Sequence, residues 1–141
     1  MPIGDPTPIL LDTCALLWTA DKRPIAKDAQ SEVDAANRGE VDLIVSPISA
    51  WEIGNLVSKG RLVLGMEPRP WFRTVLNSGV TLADMPPDVL IASAFLPASD
   101  LRDPADRILA ATARAYGFRL MTRDGPLLDY GLRGHLRVIR C

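Results

Sequence analysis

Ile9-Leu10-Leu11-Asp12-Thr13 is the stretch that decides the fold, because an apolar run within it ends abruptly in a carboxylate. The run is typical of a short buried β-strand, and a strand of this kind carries the acid that follows it to the edge of a sheet. In open α/β sheets, ligand crevices form at the edge where the carboxyl ends of the strands lie. Whether Asp12 belongs to a site or only ends a strand therefore depends on other acids reaching the same edge.

Length and composition predict an ordinary globular protein with a single domain over residues 1–141. Of the 141 residues, 48% are hydrophobic and 23% are charged, which is the usual balance for such a chain. With 16 basic and 17 acidic residues the formal net charge is -1. This excludes the overall basic field of a protein that coats nucleic acid without regard to sequence, so any contact with RNA must be local.

The cysteines and the hydrophobic runs indicate the cellular compartment of the protein. Cys14 and Cys141 are too few and too far apart in sequence for a disulfide framework or a metal-ligand pair. No run of about 18 apolar residues is present for a membrane span. The proline-rich segment 1–8 lacks the apolar core of a signal peptide. The sequence therefore predicts a cytoplasmic protein with no membrane contact.

Strand and helix patterns alternate along the chain. After the first strand, apolar runs predict strands at 43–45, 80–83, 118–122 and 136–139, and helical spacing predicts helices at 14–20, 25–38, 49–59, 68–76, 88–95 and 103–117. Residues 124–134 are rich in glycine and are predicted to form an irregular loop at the rim of a site. Alternation without hairpin signals predicts the α/β class, with a mostly parallel central sheet and helices on both faces.

Three helix starts or strand ends carry further acids. Ser49 with Glu52 matches a capping box, which places Glu52 in a first helical turn. Asp103 matches an N-cap, with Asp106 in the turn that follows. Asp124 follows the fourth strand as Asp12 follows the first. Taken singly, each acid has a structural explanation as a turn or cap residue.

Taken together, Asp12, Glu52, Asp106 and Asp124 are expected to converge, because strand carboxyl ends and the helix starts that follow them lie at one edge of a parallel sheet. Crowded carboxylates repel one another unless a cation is present. Oxygen ligands without Cys or His favour Mg²⁺ or Mn²⁺, and such an ion supports phosphodiester hydrolysis. Arg107 and Arg123 are adjacent in sequence to two of these acids and are candidate phosphate contacts.

Four motifs occur in order along the chain: Leu11-Asp12-Thr13-Cys14-Ala15-Leu16-Leu17-Trp18, Ser49-Ala50-Trp51-Glu52-Ile53 with Lys59-Gly60-Arg61-Leu62, Arg102-Asp103-Pro104-Ala105-Asp106-Arg107, and Thr122-Arg123-Asp124. Together they resemble the motifs of the PIN-domain family, and more narrowly those of VapC-type toxins from bacterial toxin-antitoxin pairs. The resemblance extends from Ile9 to about Ile139. It implies a PIN-like (Rossmann-like) sheet and a metal-dependent endoribonuclease that uses Mg²⁺ or Mn²⁺.

The resemblance also implies roles for individual residues. Asp12, Glu52, Asp106 and Asp124 match the four catalytic acids, of which Asp12, Asp106 and Asp124 are the expected metal ligands. Asp103, Thr13 and Thr122 match auxiliary positions. Arg107 and Arg123 join this auxiliary group for a different reason, because each is adjacent to one of the acids. Position 14, often polar in such proteins, is Cys14 here.

Partners follow from the same resemblance. It implies an RNA substrate, a homodimer, and a small cognate antitoxin that enters the acidic groove. Trp18, Trp51, Trp71 and Phe72 are aromatic side chains that would serve either as interface anchors or as core packing.

Two other functions remain open on the residues alone. Asp12 at a first strand tip also suits the nucleophile of an aspartyl phosphohydrolase or phosphotransferase. The partner acid usual in such enzymes two residues later is absent, because that position is Cys14. The third hypothesis is a non-catalytic PIN-like binding module whose acidic groove holds a basic peptide.

Overall fold

Five parallel strands form one sheet at the centre of the structure, a computed structural model that describes residues 4–141. The strands lie in the order β3-β2-β1-β4-β5. They are β1 (Ile9–Leu11), β2 (Leu43–Val45), β3 (Thr81–Leu82), β4 (Arg119–Thr122) and β5 (Val138–Arg140). Because β1 pairs with β2 on one side and with β4 on the other, the decisive strand of the sequence is also the central strand of the sheet.

Seven helices connect these strands within residues 4–141. They are α1 (Thr13–Ala20), α2 (Lys27–Asn37), α3 (Pro47–Ser58), α4 (Pro68–Asn77), α5 (Pro87–Ala92), α6 (Pro104–Tyr116) and α7 (Gly125–Leu132). None of these helices is long and apolar enough to cross a membrane. The sequence predicts no signal peptide in segment 1–8, and residues 1–3 of that segment lie outside the described residues.

Side chains of the strands alternate between two apolar clusters, one on each face of the sheet. Leu10, Ile44 and Leu120 point into a cluster that includes residues of α5, α6 and α7. Ile9, Leu11, Val45 and Met121 point into the opposite cluster, which α1, α2, α3 and α4 cover. Burial on both faces explains why the strands are continuous apolar runs and not alternating ones. The predicted α/β class with a parallel sheet and helices on both faces is confirmed.

Arg119 closes the edge of the sheet opposite the strand carboxyl ends. Its side chain is only 8% exposed and lies 2.7 Å from Glu32 of α2. It also donates to the backbone carbonyls of Asp5 and Thr7. A buried guanidinium is stable only when it is paired and hydrogen-bonded, and these partners meet that condition. The amino-terminal segment is thereby fixed to α2 and β4.

The predicted capping box at Ser49 is wrong. The helix begins earlier, at Pro47, and Ser46 is its N-cap, with its hydroxyl accepting from the N–H of Ile48. Ser46 has extended backbone angles, and proline suits the first helical position because it has no N–H to leave unpaired. Glu52 therefore lies in the second turn of α3, and Ser49 is a buried residue inside the helix.

The predicted irregular loop at 124–134 is also wrong, because most of it is the helix α7. Asp124 is the N-cap, and its carboxylate accepts from the N–H of Leu127. Gly125 and Pro126, which suggested a loop, occupy the first turn, where neither residue breaks a helix. Smaller differences are that Asp12 and Thr13 follow β1 instead of ending it, and that β3 and α5 are shorter than predicted.

Replacement of Gly131 by alanine tests the packing of α7 on β5. An added Cβ would lie 2.7 Å from a methyl carbon of Val138, so Gly131→Ala should lower the free energy of unfolding by about 1–3 kcal/mol. Gly54 lies inside α3 with no atom near the position of an added Cβ. Gly54→Ala should therefore raise the free energy of unfolding by about 0.5–1 kcal/mol. Equal effects of the two changes in urea unfolding would contradict this packing.

Candidate active site

Asp12 lies at the carboxyl end of the central strand and is the N-cap of α1. One carboxylate oxygen accepts from the N–H of Ala15 at 2.7 Å, and the other accepts from the hydroxyl of Thr122 at 2.5 Å. The residue is only 5% exposed. Helix N-termini stabilise negative charge, so this buried carboxylate is placed where the backbone favours it.

Thr122 connects two of the predicted acids. Its side chain is completely buried at the end of β4, and its hydroxyl also accepts from the N–H of Asp124 at 3.0 Å. Since β4 pairs directly with β1, the hydroxyl stands between the two strand ends. One threonine therefore fixes both the side chain of Asp12 and the backbone of Asp124.

Thr13 and Ser49 together position Glu52. The Thr13 hydroxyl donates to the Glu52 carboxylate and is hydrogen-bonded to the Ser49 hydroxyl at 2.9 Å. Thr13 and Ser49 are buried, whereas Glu52 is half-buried. The sequence prediction missed Ser49 as a site residue because it assigned that residue to the helix cap. Its spacing of three residues from Glu52 puts both on one face of α3, and that signal was present in the sequence.

The start of α6 brings two more carboxylates to this edge. Asp103 is the N-cap, with one carboxylate oxygen accepting from the N–H groups of Ala105 and Asp106. Asp106 is half-buried in the first turn, as predicted. Among residues 4–141, no hydrogen bond to the Asp106 side chain is found. Asp103 therefore stabilises the helix start, while Asp106 presents an unpaired carboxylate.

Burial and mutual repulsion raise the pKa values of three of these acids. Burial is the largest cause for Asp106, followed by the charges of Asp124, Asp103, Glu52 and Asp12, and together they raise its pKa to about 8. Burial also raises the pKa of Asp12, which the hydrogen bonds from Thr122 and Ala15 oppose. Burial likewise raises the pKa of Glu52, against the bond from Thr13. The charges of all four other acids contribute to the raised pKa of Asp106.

The chemistry of these donors suits a hard divalent cation. All five side chains are carboxylates, and a cation among them would relieve the repulsion that raises the pKa of Asp106. Within residues 4–141, however, no three His, Cys, Asp or Glu side chains are close enough to hold an ion by themselves. The acids thus interact electrostatically, but their carboxylates do not meet at a single point. This spacing fits an ion that keeps several waters and binds only one or two carboxylates directly, as Mg²⁺ does.

The two candidate arginines have different surroundings. Arg107 donates to the carbonyl of Ser93 at 2.8 Å and to that of Leu101 at 2.6 Å, so its guanidinium is occupied with the backbone before α6. This arrangement leaves Arg107 in a structural role and does not support the expected phosphate contact. Arg123 is exposed, and its guanidinium carbon lies 3.7 Å from the centre of the Trp18 ring.

The remaining candidates have simpler roles. Cys14 and Cys141 are both free thiols, as expected for a chain with no disulfide framework. Trp71 and Phe72 pack against the cluster on the α1 face, whereas Trp51 is 59% exposed on α3. Trp51 is therefore available to an interface, and Trp71 and Phe72 belong to the core.

The family model of the PIN domain matches residues 9–131. The chain belongs to the PIN-domain family. It is 32% identical over 125 residues to a protein named Ribonuclease VapC22 from Mycobacterium tuberculosis, an alignment that covers 88% of this chain and 92% of that protein. The resemblance that the four motifs indicated is thus confirmed at the level of the family.

Solved structures show the same fold. VapBC2 from Rickettsia felis, bound to a DNA fragment from its promoter, aligns with a TM-score of 0.68 at 15% identity, covering 94% of this chain and 97% of that one. A toxin-antitoxin complex from Klebsiella pneumoniae aligns with a TM-score of 0.60 at 18% identity, covering 93% and 95%. At these identities the likeness extends to the PIN fold alone.

The raised pKa of Asp106 makes the stability of this PIN domain depend on pH in a predictable direction. Between the ordinary value of 3.8 and about 8, the folded protein keeps a proton on Asp106 that the unfolded chain has lost. Raising the pH through this range therefore lowers the free energy of unfolding. Asp106→Asn removes this pH-dependent contribution. In urea unfolding with EDTA, the free energy of unfolding of the variant relative to the wild type should therefore increase from pH 5 to pH 8.5.

The control is Asp88→Asn, which changes an exposed acid in the first turn of α5. It should follow the wild type at every pH. In the wild type, added Mg²⁺ or Mn²⁺ should recover stability at high pH, because an ion bound only to the folded state stabilises that state. Parallel pH curves for wild type and Asp106→Asn would contradict the charge crowding.

Proposed function

We propose that this PIN domain is an endoribonuclease that depends on Mg²⁺ or Mn²⁺, hydrolyses RNA phosphodiester bonds, and acts as the toxin of a toxin-antitoxin pair. The observation that carries the proposal is Asp106, a half-buried carboxylate in the field of four others. Such crowding is unfavourable without a cation and useful with one. The relative named Ribonuclease VapC22, which aligns over most of the chain, supports RNA as the substrate.

In this proposal Asp12, Asp106 and Asp124 hold the ion, directly or through its waters. When bound, the ion lowers the pKa of a water molecule and offsets charge on the phosphate. The chain positions these ligands from rigid elements: Asp12 from the central strand, Asp106 from the first turn of α6, and Asp124 from the cap of α7. The buried hydroxyl of Thr122 keeps Asp12 and Asp124 in fixed relation.

Glu52 either orients the attacking water or helps to bind the ion. Its carboxylate is steadied by Thr13, which Ser49 supports in turn, so the side chain is held from one side. A group that accepts or directs a proton needs a defined position within hydrogen-bond reach of the reacting water. Asp103 acts indirectly, because its bonds to the N–H groups of Ala105 and Asp106 fix the turn that carries Asp106.

The toxin role and the partners also belong to this proposal. The relatives of known structure include a VapBC complex bound to promoter DNA and a complex described as toxin-antitoxin. We infer a small cognate antitoxin for this chain and a homodimer, both located in the cytoplasm with the RNA. Large apolar side chains at the surface would suit such interfaces: Trp51 is 59%, Ile91 61% and Phe95 80% exposed.

The geometry of Asp12 argues against the aspartyl phosphotransferase hypothesis. A nucleophilic carboxylate needs an oxygen that can reach phosphorus. Both oxygens of Asp12 accept hydrogen bonds, and the residue is only 5% exposed. A nucleophile at this position would have to attack from a nearly buried oxygen whose direction is already fixed by the bond to Thr122 or by the helix cap. The proposed role as an ion-holding acid uses the same bonds without disturbing them.

Replacement of Asp12 by asparagine tests the proposal most simply. Outer partners of a bound metal already contribute about 10–100-fold to activity, so loss of a direct carboxylate should reduce RNA cleavage by more than about 100-fold. Asparagine can keep the bond from Ala15, so the fold should persist. Cleavage of labelled single-stranded RNA should require Mg²⁺ or Mn²⁺ and stop in EDTA.

Asp34→Asn is the matched control. Asp34 is an exposed acid of α2 whose carboxylate accepts a hydrogen bond from the side-chain amide of Gln30. It should cleave RNA like the wild type. In cells, the wild type should arrest growth unless the cognate antitoxin is supplied, and Asp12→Asn should not. Normal RNA cleavage by Asp12→Asn, or cleavage that persists in EDTA, would contradict the proposal.

A further inference from the structure

Trp18 of α1 has two guanidinium groups near its ring. The guanidinium carbon of Arg123 is 3.7 Å from the centre of the ring, and that of Arg23 is 5.7 Å from it. Cations over a tryptophan face are attracted within about 6 Å of the ring centre. The first contact is therefore close stacking, and the second lies near the limit of the interaction.

Arg123 is held firmly beside the acids. It follows Thr122, whose hydroxyl donates to Asp12, and its guanidinium donates to the carbonyl of Cys141 at 3.0 Å. In residues 4–141 that carbonyl is the one oxygen acceptor found for it. The contact with the tryptophan ring and this bond hold the guanidinium in place, while other N–H donors of the group have no oxygen acceptor among these residues. A planar, preset fork of donors is the geometry that binds phosphate well.

Arg23 is a weaker member of the group. Its backbone N–H donates to the carbonyl of Trp18 at 2.9 Å, which fixes the turn after α1. Its side chain is 59% exposed and lies 2.8 Å from Asp21, so part of its charge is offset. Any anion held at the tryptophan would therefore be held mainly by Arg123.

The charges around the acids indicate the side of the site on which a phosphate group could be held. Glu52 responds to Asp103 and Asp12, whereas Asp12 responds to Asp124 and Arg123. Asp12 and Asp124 share the α1 and β4 side of the site with Arg123, so a positive charge lies beside the acids on that side. Since the net charge of the chain is -1, RNA gains no general attraction. Arg107, which directly follows Asp106, donates to two backbone carbonyls instead.

We propose that Arg123, stacked on Trp18 and assisted by Arg23, is a binding site for an RNA phosphate next to the bond that is cut. This inference rests on the proposed ribonuclease function and adds a direction to it, with the RNA backbone approaching from the α1 and β4 side. A polyanion that enters a group of carboxylates needs a fixed cation at its entrance. Arg123 provides one without moving, because the ring and the Cys141 carbonyl already hold it.

The test measures the binding of labelled single-stranded RNA by the Asp12→Asn protein in Mg²⁺, over a series of salt concentrations. Adding Arg123→Met should weaken binding about tenfold at low salt, as expected for one lost charged contact of about 1.4 kcal/mol. It should also make the dependence of log K on log salt shallower by about 0.7, the value for one phosphate contact on a single strand.

Two further variants separate charge from structure. Arg123→Lys keeps the charge but loses the planar fork, so the salt dependence should be retained while affinity falls. Trp18→Leu frees Arg123 without removing its charge and should have the same signature. Arg137→Met is the matched control, because it removes an arginine that precedes β5 at the opposite edge of the sheet. It should change neither quantity.

The outcomes distinguish this inference from the function on which it rests. If Arg123→Met and Arg137→Met bind RNA alike with the same salt dependence, the phosphate site is overturned while wild-type cleavage stands. Weakened binding of the antitoxin alone, with RNA binding unchanged, would also overturn it. If the Asp12→Asn protein binds no RNA and the wild type cleaves none, the ribonuclease proposal fails together with it.

Discussion

Crowding of carboxylates at one edge of the sheet, where burial and mutual repulsion both disfavour the charged forms, is the constraint on which the rest of the site depends. Five acids reach the carboxyl ends of β1 and β4 and the neighbouring helices, and Asp106 experiences the charge of the other four. Such an arrangement destabilises a folded protein unless each charge is held by hydrogen bonds or balanced by a cation. The local structure of the site provides such hydrogen bonds for most of these acids.

The fold separates the elements that stabilise it from the edge that carries charge. The three central strands β1, β2 and β4 are buried between two apolar clusters, so the sheet does not depend on the site for its stability. The opposite edge is closed by the bonded and nearly buried Arg119. At the charged edge, helix N-termini and buried hydroxyl groups accommodate Asp12, Asp103 and Asp124. Asp106 alone lacks such a partner among residues 4–141, and in the proposed function a cation takes that place.

Much of this arrangement follows from local patterns in the sequence. An apolar strand that ends in an acid identifies Asp12 and Asp124, and the N-cap with proline identifies the helix start that carries Asp106. These patterns work because parallel strands and the helices that follow them share one edge, whatever their partners. Glu52 was assigned to the site for a partly wrong reason, because the cap is Ser46 and not Ser49. The Ser-Pro pair before the helix competes with the Ser49 pattern, and only the backbone decides between them.

Other features depend on contacts between residues far apart in the chain. Arg107 looked like a phosphate contact, but its acceptors include the Ser93 carbonyl, 14 residues earlier. The link between Thr13, Ser49 and Glu52 likewise joins two helices, and Arg119 reaches α2 and the amino-terminal segment. The prediction of a loop at 124–134 failed because proline is common in the first turn of a helix as well as in turns, and the capping carboxylate of Asp124 starts a helix here.

The most direct measurement is the location of Mn²⁺ by anomalous diffraction from crystals of the wild-type protein soaked in Mn²⁺. Mutual repulsion of the acids predicts an anomalous peak between Asp12, Asp106 and Asp124, with water completing the coordination, and no peak there in crystals of Asp106→Asn. Crystals that bind Mn²⁺ only elsewhere, or an occupied site that Asp106 does not approach, would contradict the claim that these carboxylates are gathered to hold a cation.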